Sequence, residues 1–336
     1  MDLKVSIMIT TYNRANYLPQ AIESALAQDY PNLEVIVSDD ASTYETPEVV
    51  IKYMVDPRFK YFRNEKNLGI AGNWRKALYE YATGEWVLLL NDDDYLIDNW
   101  YISKAISLTK KYKSVVLVHA NYVVRNENSE MLRNSNLSIE ETNLNIEEFI
   151  KGKYYFIHYG EKIAPPIGPP LTSVFDRLKA VKVGAFTEDI PALDMDLWLR
   201  LMLLGDIAFV KDHVAVYRDH GKNETFSVYI NKDLENIENV FDIYHLATKL
   251  DFTQKDLKKW TIRQVEIIFM WRFFSYFKSK KQKDAWNLFK QAYKKHPYII
   301  TKIFFKPKNL VILILNRNKK LFVIAKKIKR LLRRKG

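Results

Sequence analysis

The feature that most constrains this chain is the alternation, through its first 120 residues, of short β-branched apolar runs with segments of helical periodicity. Residues 3–9 and 33–38 are apolar runs of strand length, and between them Leu18, Ile22, Ala25 and Leu26 recur at helical spacing within Ala15 to Gln28. That is a βαβ unit. The order continues with a helix over 46–54, a strand at Lys60 to Phe62, a helix from Ala71 to Tyr81 and a strong strand at Trp86 to Leu90. A helix from Tyr95 to about Tyr112 and a strand at Val115 to His119 follow. Strands that alternate with helices bury both faces of a sheet, so the expected fold is α/β, with a mostly parallel, Rossmann-like sheet flanked by helices.

Beyond residue 120 the pattern loosens. Arg125 to Asn145 is polar and reads as an excursion or mobile loop, and Pro165 to Pro170 reads as a rigid connection, beside a cleft or as a plain linker. From Asn231 strand signals stop. Three helical patterns follow, near 231–249, 253–277 and 281–295, with Trp260, Phe269, Trp271, Phe273 and Phe274 as bulky faces. The expected organisation is an α/β domain over 1–225, a helical region over 226–297, and a basic tail over 298–336.

The 336 residues are 48% hydrophobic and 27% charged, as in an ordinary folded protein. The absence of cysteine excludes a disulfide, a thiolate nucleophile and cysteine-ligated zinc, and fits a reducing cytosol. The apolar start ends at Thr10, too early for a signal peptide or a membrane span, and Leu310 to Leu315 is the nearest approach to a span elsewhere.

The net charge of +12 is local. Residues 298–336 hold 13 Lys or Arg and no acid, which leaves −1 on residues 1–297. A near-neutral body offers no basic groove, so nucleic acid is not an expected partner. In the tail, apolar positions 321, 324, 325, 328, 331 and 332 follow helical spacing between the cations. This pattern suits an amphipathic helix on an anionic membrane surface, or a solvated basic helix packed on the body. The first reading makes the protein cytoplasmic and peripheral on the inner face of the cell membrane.

Open parallel sheets bind ligands outside the carboxyl ends of their strands. Three such ends are polar here: Thr10 to Arg14, Asp39-Asp40-Ala41-Ser42, and Asn91-Asp92-Asp93-Asp94. Each alone could be a turn or a helix cap. Together they gather carboxylates at one sheet edge, where a divalent cation would relieve their repulsion and a diphosphate would complete its shell.

These motifs resemble glycosyltransferase family 2, inverting enzymes of the GT-A fold that use nucleotide-diphosphate sugars. The resemblance covers about residues 3–221 and includes Asn67-Leu68-Gly69, Thr83-Gly84-Glu85, Gly184-Ala185-Phe186 and Asp194 to Arg200 in family order. It implies a nucleotide-binding set of Thr10, Tyr12, Arg14, Asp40, Asn67, Arg75 and Asp92, with uracil as the usual base. It implies Mn²⁺ or Mg²⁺ on Asp93, and Asp92-x-Asp94 is the other possible register. Asn91 stands where the family usually has an acid.

The resemblance makes Asp194 the catalytic base, and Leu193 replaces the acid usual before it. Asp194 alone could equally be a helix N-terminal charge. His220, in the Tyr217 to His220 segment, could join the metal or be structural, and His119 and His158 are read as structural. The implied activity is transfer of a sugar from a UDP-sugar or similar donor to a glycan or lipid-linked acceptor in bacterial surface polysaccharide synthesis. The competing reading is a catalytically silent nucleotide-sugar-binding scaffold of the same fold. The helical region either shapes the acceptor pocket or forms a homo-oligomer.

Overall fold

A computed structural model of the chain describes residues 2–43, 45–135, 149–161, 163–164, 167–221, 230–278, 281–306 and 309. The chain divides into two compact units, Met1–Thr225 and Phe226–Gly336.

The first unit opens with β1 (Val5–Thr11), α1 (Leu18–Leu26), β2 (Leu33–Asp39), α2 (Glu45–Ile51), β3 (Phe59–Arg63), α3 (Gly69–Lys76) and β4 (Trp86–Asn91). It continues with β5 (Tyr95–Leu96), α4 (Tyr101–Lys111), β6 (Val115–Asn126), β7 (Met131–Ser135), β8 (Phe149–Ile150) and α5 (Gly152–His158). β9 (Ser173–Asp176), α6 (Arg177–Lys182), α7 (Leu193–Met202) and β10 (Asp206–Asp219) complete it.

One sheet runs through the unit in the order β3-β2-β1-β4-β9-β6-β10-β5, with β7 on β6 and β8 on β10. The long ladders, β1 with β2 and β4, β2 with β3, and β6 with β10, are parallel. β1 and β2 are buried end to end, as central strands covered on both faces must be. Short β9 lies antiparallel between β4 and β6 and joins the two parallel halves.

The strand order fixes the position of the site. The chain steps outward from β1 to β2 to β3, then returns to lay β4 on the other side of β1. Loops leaving β1 and β4 therefore part in opposite directions and open a crevice at their carboxyl ends.

Several elements differ from the expectation. The helix expected from Tyr95 starts only at Tyr101, because Tyr95 and Leu96 pair with Val216 and Ala215 as β5. The stretch after Arg125 begins as a hairpin. β6 runs to Asn126, Ser129 turns the chain at φ 62°, and β7 pairs back. The Asn126 side chain closes this turn by accepting from the Glu130 N–H at 2.9 Å. Residues 136–148, and Pro165 and Pro166 of the proline-rich connection, lie outside the described residues.

The second unit comprises α8 (Ile230–Ala247), α9 (Gln254–Lys278), α10 (Gln282–Lys295) and α11 (Pro297–Phe304). α8, α10 and α11 all pack on α9. Leu234, Ile237, Leu257, Trp260, Phe269 and Phe273 are among its buried side chains. α11 occupies the start of the segment assigned to the tail. The amphipathic helix expected over 321–332 lies outside the described residues. Among the described residues no helix is long and apolar enough to cross a membrane.

Candidate active site at the β1–β4 crevice

The loops after β1 and β2 hold each other. Asn13 donates its N–H to Ser42 Oγ at 2.9 Å, and its Oδ1 accepts from the Thr43 N–H at 2.8 Å. Asn13 (φ 54°) and Ala41 (φ 61°) both adopt the left-handed conformation that non-glycine residues avoid. Such strain persists where the surroundings impose it, commonly at ligand sites. Thr10 is buried within β1 between Ser38 and Asn91, whereas Tyr12, just past the strand, is half exposed.

Asp40 is buried, and its carboxylate organises the next loop. Its Oδ1 accepts from Asn64 Nδ2 at 3.0 Å and the Leu68 N–H at 2.9 Å, and its Oδ2 accepts from the Gly69 N–H at 2.9 Å. These N–H groups open α3, so Asp40 caps that helix from another strand. Asn67 is exposed and also accepts from the Gly69 N–H. Behind them, Asn73 receives Ser38 Oγ at 2.6 Å and Asn64 Nδ2 at 3.1 Å. Arg75 makes none of these hydrogen bonds. It is exposed and lines a shallow cavity of about 290 Å³ with Leu68, Gly72 and Tyr79.

At the end of β4, Asp92, Asp93 and Asp94 are all buried. Arg14 reaches across the crevice from the β1 loop, forming a close ion pair with Asp93 and a longer one, 3.4 Å, with Asp92. His220, just past β10, places Nε2 2.9 Å from Asp93 Oδ2. The fold thus gathers Arg14, Asp92, Asp93 and His220 at one place. Asp94 Oδ1 accepts from the Arg218 N–H at 3.0 Å, while its Oδ2 has no hydrogen-bond partner among the described residues. Burial and the neighbouring Asp93 charge push the Asp92 carboxyl up to about 7, against the pull of Arg14. Asp94 is raised for the same two reasons.

One supporting residue, Tyr17, escapes the sequence reading. Tyr17 stacks on His220, with ring centroids 5.5 Å apart and planes 16° from parallel. Arg218 covers the other partner, its guanidinium carbon 4.8 Å from the Tyr17 ring. Tyr17 precedes a proline-started helix, and nothing in its spacing links it to residue 220. The Thr83-Gly84-Glu85 element of the resemblance forms the tight turn before β4. A Cβ on Gly84 would lie 2.6 Å from Ser6 N, so Thr83-Gly84-Glu85 owes its glycine to close packing against β1.

The carboxylates suit a hard cation. They provide oxygen donors in excess of nearby positive charge, and one buried Asp94 oxygen is unpartnered. Among the described residues, however, no three His, Asp or Glu form a complete metal cage. Asp93 and His220 would supply two ligands, leaving a substrate diphosphate and water to supply the others.

Asp194 begins α7, where its Oδ1 accepts from the Met195 N–H at 2.8 Å. Burial raises its pKa above the ordinary carboxylate range, opposed by backbone N–H donors. Nearby Asp196 is instead neutralised by Arg200 at 2.7 Å. His119 is buried and held neutral, its pKa pushed down by burial to about 3. It accepts from the Gly168 N–H at 3.2 Å and meets Ser173 Oγ at 2.7 Å, tying the proline-rich connection to β9. His158 pairs with Glu161 at 2.9 Å.

A β1–β4 switch-point crevice, on a sheet of two parallel halves joined by an antiparallel strand, has the architecture of the GT-A fold. Known structures agree. Staphylococcus aureus TarS, residues 1–349 in complex with UDP-GlcNAc, superposes with a TM-score of 0.69 at 18% identity, over 95% of this chain and 88% of that one. A mannosyltransferase of Pyrobaculum calidifontis in complex with GDP-Man and Mn²⁺ gives 0.54 at 18% identity, over 98% and 88%. The family model for glycosyl transferase family 2 matches residues 6–166, so the first unit is similar to that family over most of its length.

Among curated relatives, an uncharacterized glycosyltransferase of Rickettsia felis is 28% identical over 225 residues, 65% of this chain and 34% of its own length. The poly(ribitol-phosphate) β-N-acetylglucosaminyltransferase TarS of S. aureus is 32% identical over 118 residues, 34% of this chain and 21% of its own. The chain therefore spans about a third, or less, of the length of these relatives.

Proposed function

We propose that this chain is an inverting glycosyltransferase that moves a sugar from a nucleoside diphosphate sugar, a UDP-sugar first among them, to a glycan or lipid-linked acceptor. The observation that carries the reading is the convergence of Arg14, Asp92, Asp93 and His220 at the β1–β4 switch point. TarS with UDP-GlcNAc, similar in fold, supports the choice of donor.

In this reading Tyr12 and Asp40 receive the base, and the Asp40 Oδ2 that holds the Gly69 N–H keeps acceptor capacity for a base N–H. Thr10 and Asn67 border the same pocket, Asp92 binds the ribose, and Arg14 attracts the diphosphate. Arg75, on the outer face of α3, is the member of the set with least support. Asp93 and His220 would hold Mn²⁺ or Mg²⁺, which when bound neutralises charge developing on the departing nucleoside diphosphate. Asp194 removes the acceptor hydroxyl proton. The acceptor oxygen bonds to the anomeric carbon as the carbon–oxygen bond to the phosphate breaks, its electron pair leaving with the diphosphate.

Surface polysaccharide assembly at the cytosolic face of the membrane fits a lipid-linked acceptor and the basic 298–336 segment. Homo-oligomerisation through the helical unit belongs to the same proposal.

Donor binding and hydrolysis across UDP-, GDP- and dTDP-sugars, with and without Mn²⁺, test the proposal on wild type, Asp93→Ala and Asp194→Asn. One donor should bind in a metal-dependent way, Asp93→Ala should abolish that dependence, and Asp194→Asn should bind without turnover. Binding without turnover in the wild type, over a range of glycan acceptors, would favour the silent scaffold suggested by Asn91 and Leu193. No binding of any nucleotide sugar would reject both.

A further inference from the structure

Helix α10 buries one stripe, Ala285, Leu288 and Ala292, at helical spacing. One residue further round lies a second stripe, Trp286, Phe289 and Tyr293, whose Trp286 and Tyr293 are 44% and 46% exposed. The rings form a continuous surface. Phe289 lies 5.8 Å from both Trp286 and Tyr293, and 4.6 Å from Phe304 of α11. α11 buries Ile300, Ile303 and Phe304 and leaves Tyr298 and Phe305, two turns apart on one side, 65% and 62% exposed. Lys302 lies between them, its ammonium 4.4 Å from the Tyr298 ring centroid.

Charge selects the occupant of this face. Lys281 to Lys306 contains seven lysines and one acid, Asp284, and although Lys295 and Lys306 pair with Glu238 and Glu266 of the same unit, the segment stays positive. A second copy docking by a two-fold axis would set this positive charge against itself. An acidic protein would meet rings and lysines too, but the sequence that follows, residues 310–336, is apolar and basic without a single acid, which favours a lipid surface. Anionic lipid satisfies both, because amphipathic rings settle at the headgroup level and lysine stems extend past them to the phosphates. We propose that the α10–α11 face is the surface by which the folded chain rests on an anionic bilayer. The inference rests on the membrane-peripheral reading above, but puts the contact on two folded helices rather than on residues 310–336 alone.

The test uses the full chain with vesicles of equal parts phosphatidylcholine and phosphatidylglycerol, against phosphatidylcholine alone. Trp286→Ser with Tyr293→Ser and Phe305→Ser should lower partitioning to the anionic vesicles at least about tenfold, with the circular dichroism spectrum unchanged. The sequence has no cysteine, so Tyr293→Cys offers a single site for an environment-sensitive dye that keeps the test open if the triple variant misfolds. Its emission should shift blue with anionic vesicles and stay still with neutral ones. If the wild type binds anionic vesicles while the dye stays still, the segment beyond α11 holds the membrane and this face does not. A blue shift that follows protein concentration without lipid would make the face a self-association surface. Failure of the wild type to bind at all would remove the peripheral reading together with the proposal.

Discussion

Asp194 and Asp196 stand two residues apart at the start of α7, yet their surroundings divide their roles. Asp196 is held by Arg200, whereas Asp194 has no cationic partner among the described contacts and is raised in pKa by burial. The base proposed above must be ionised to take a proton, so on that proposal kcat/KM should fall as pH falls through the Asp194 pKa. That acid limb should lie above the ordinary aspartate value of about 4. A pH profile of kcat/KM checks this, and an acid limb at or below that value would move the base elsewhere. Asp194→Asn should lower kcat by roughly 10²–10⁴-fold with donor affinity nearly unchanged. Equal losses in kcat and donor affinity would show that Asp194 shapes the pocket instead.

Among the elements, β4 has the most exacting surroundings, because it delivers the acidic cluster. The turn before it is held by Glu34, which accepts from Ser6 Oγ at 2.6 Å and the Thr83 N–H at 2.8 Å, and pairs with Lys60 at 2.7 Å and Lys4 at 2.9 Å. Burial would raise the Glu34 pKa, but these donors together bring it down to about 2. A depressed carboxylate stabilises the fold above its unfolded pKa and loses that contribution as pH falls through the folded one. Glu34 therefore contributes on the order of 3 kcal/mol at neutral pH, lost between about 4.5 and 2. Glu34→Gln should show a shallower loss of thermal stability over that window. Gly84→Ala, forced against Ser6 N, should cost roughly 1–3 kcal/mol in chemical denaturation and weaken donor binding with it. The ends of β1, β2 and β4 are legible in the sequence, since these central parallel strands are mainly apolar and stop at Thr, Asp and Asn. β5, β7, β8 and β9, two to five residues long, are not legible. They exist through remote pairing, as Tyr95 does on Val216. Likewise, the motif marks Asp40, but only the fold shows it capping Leu68 and Gly69, 28 and 29 residues on.

At the scale of the whole molecule, two units with separate cores raise the question of cooperativity. The helical unit has a buried ion pair at its centre, Arg272 with Asp233 at 2.6 Å, both nearly inaccessible. The contact lies off the hydrogen-bonding direction of Arg272 Nε, whereas Tyr276 donates a close hydrogen bond to the other Asp233 oxygen. Removing the acid leaves a buried guanidinium without its counter-charge, which typically costs about 3–5 kcal/mol, while an apolar pair of similar volume can be neutral or stabilising. Asp233→Ala should therefore lower the unfolding transition of the helical unit, and Asp233→Leu with Arg272→Met should restore much of the loss. On the proposed function a bound donor acts on the other unit, raising its transition by RT ln(1 + [L]/Kd). Calorimetry of wild type and Asp233→Ala, with and without donor, separates the two effects. Two transitions, one moved by the substitution and the other by the ligand, would make the first unit and the helical unit distinct cooperative blocks. A single transition moved by both would mean that the helices support the stability of the first unit, and that substitutions in α8 or α9 would change it.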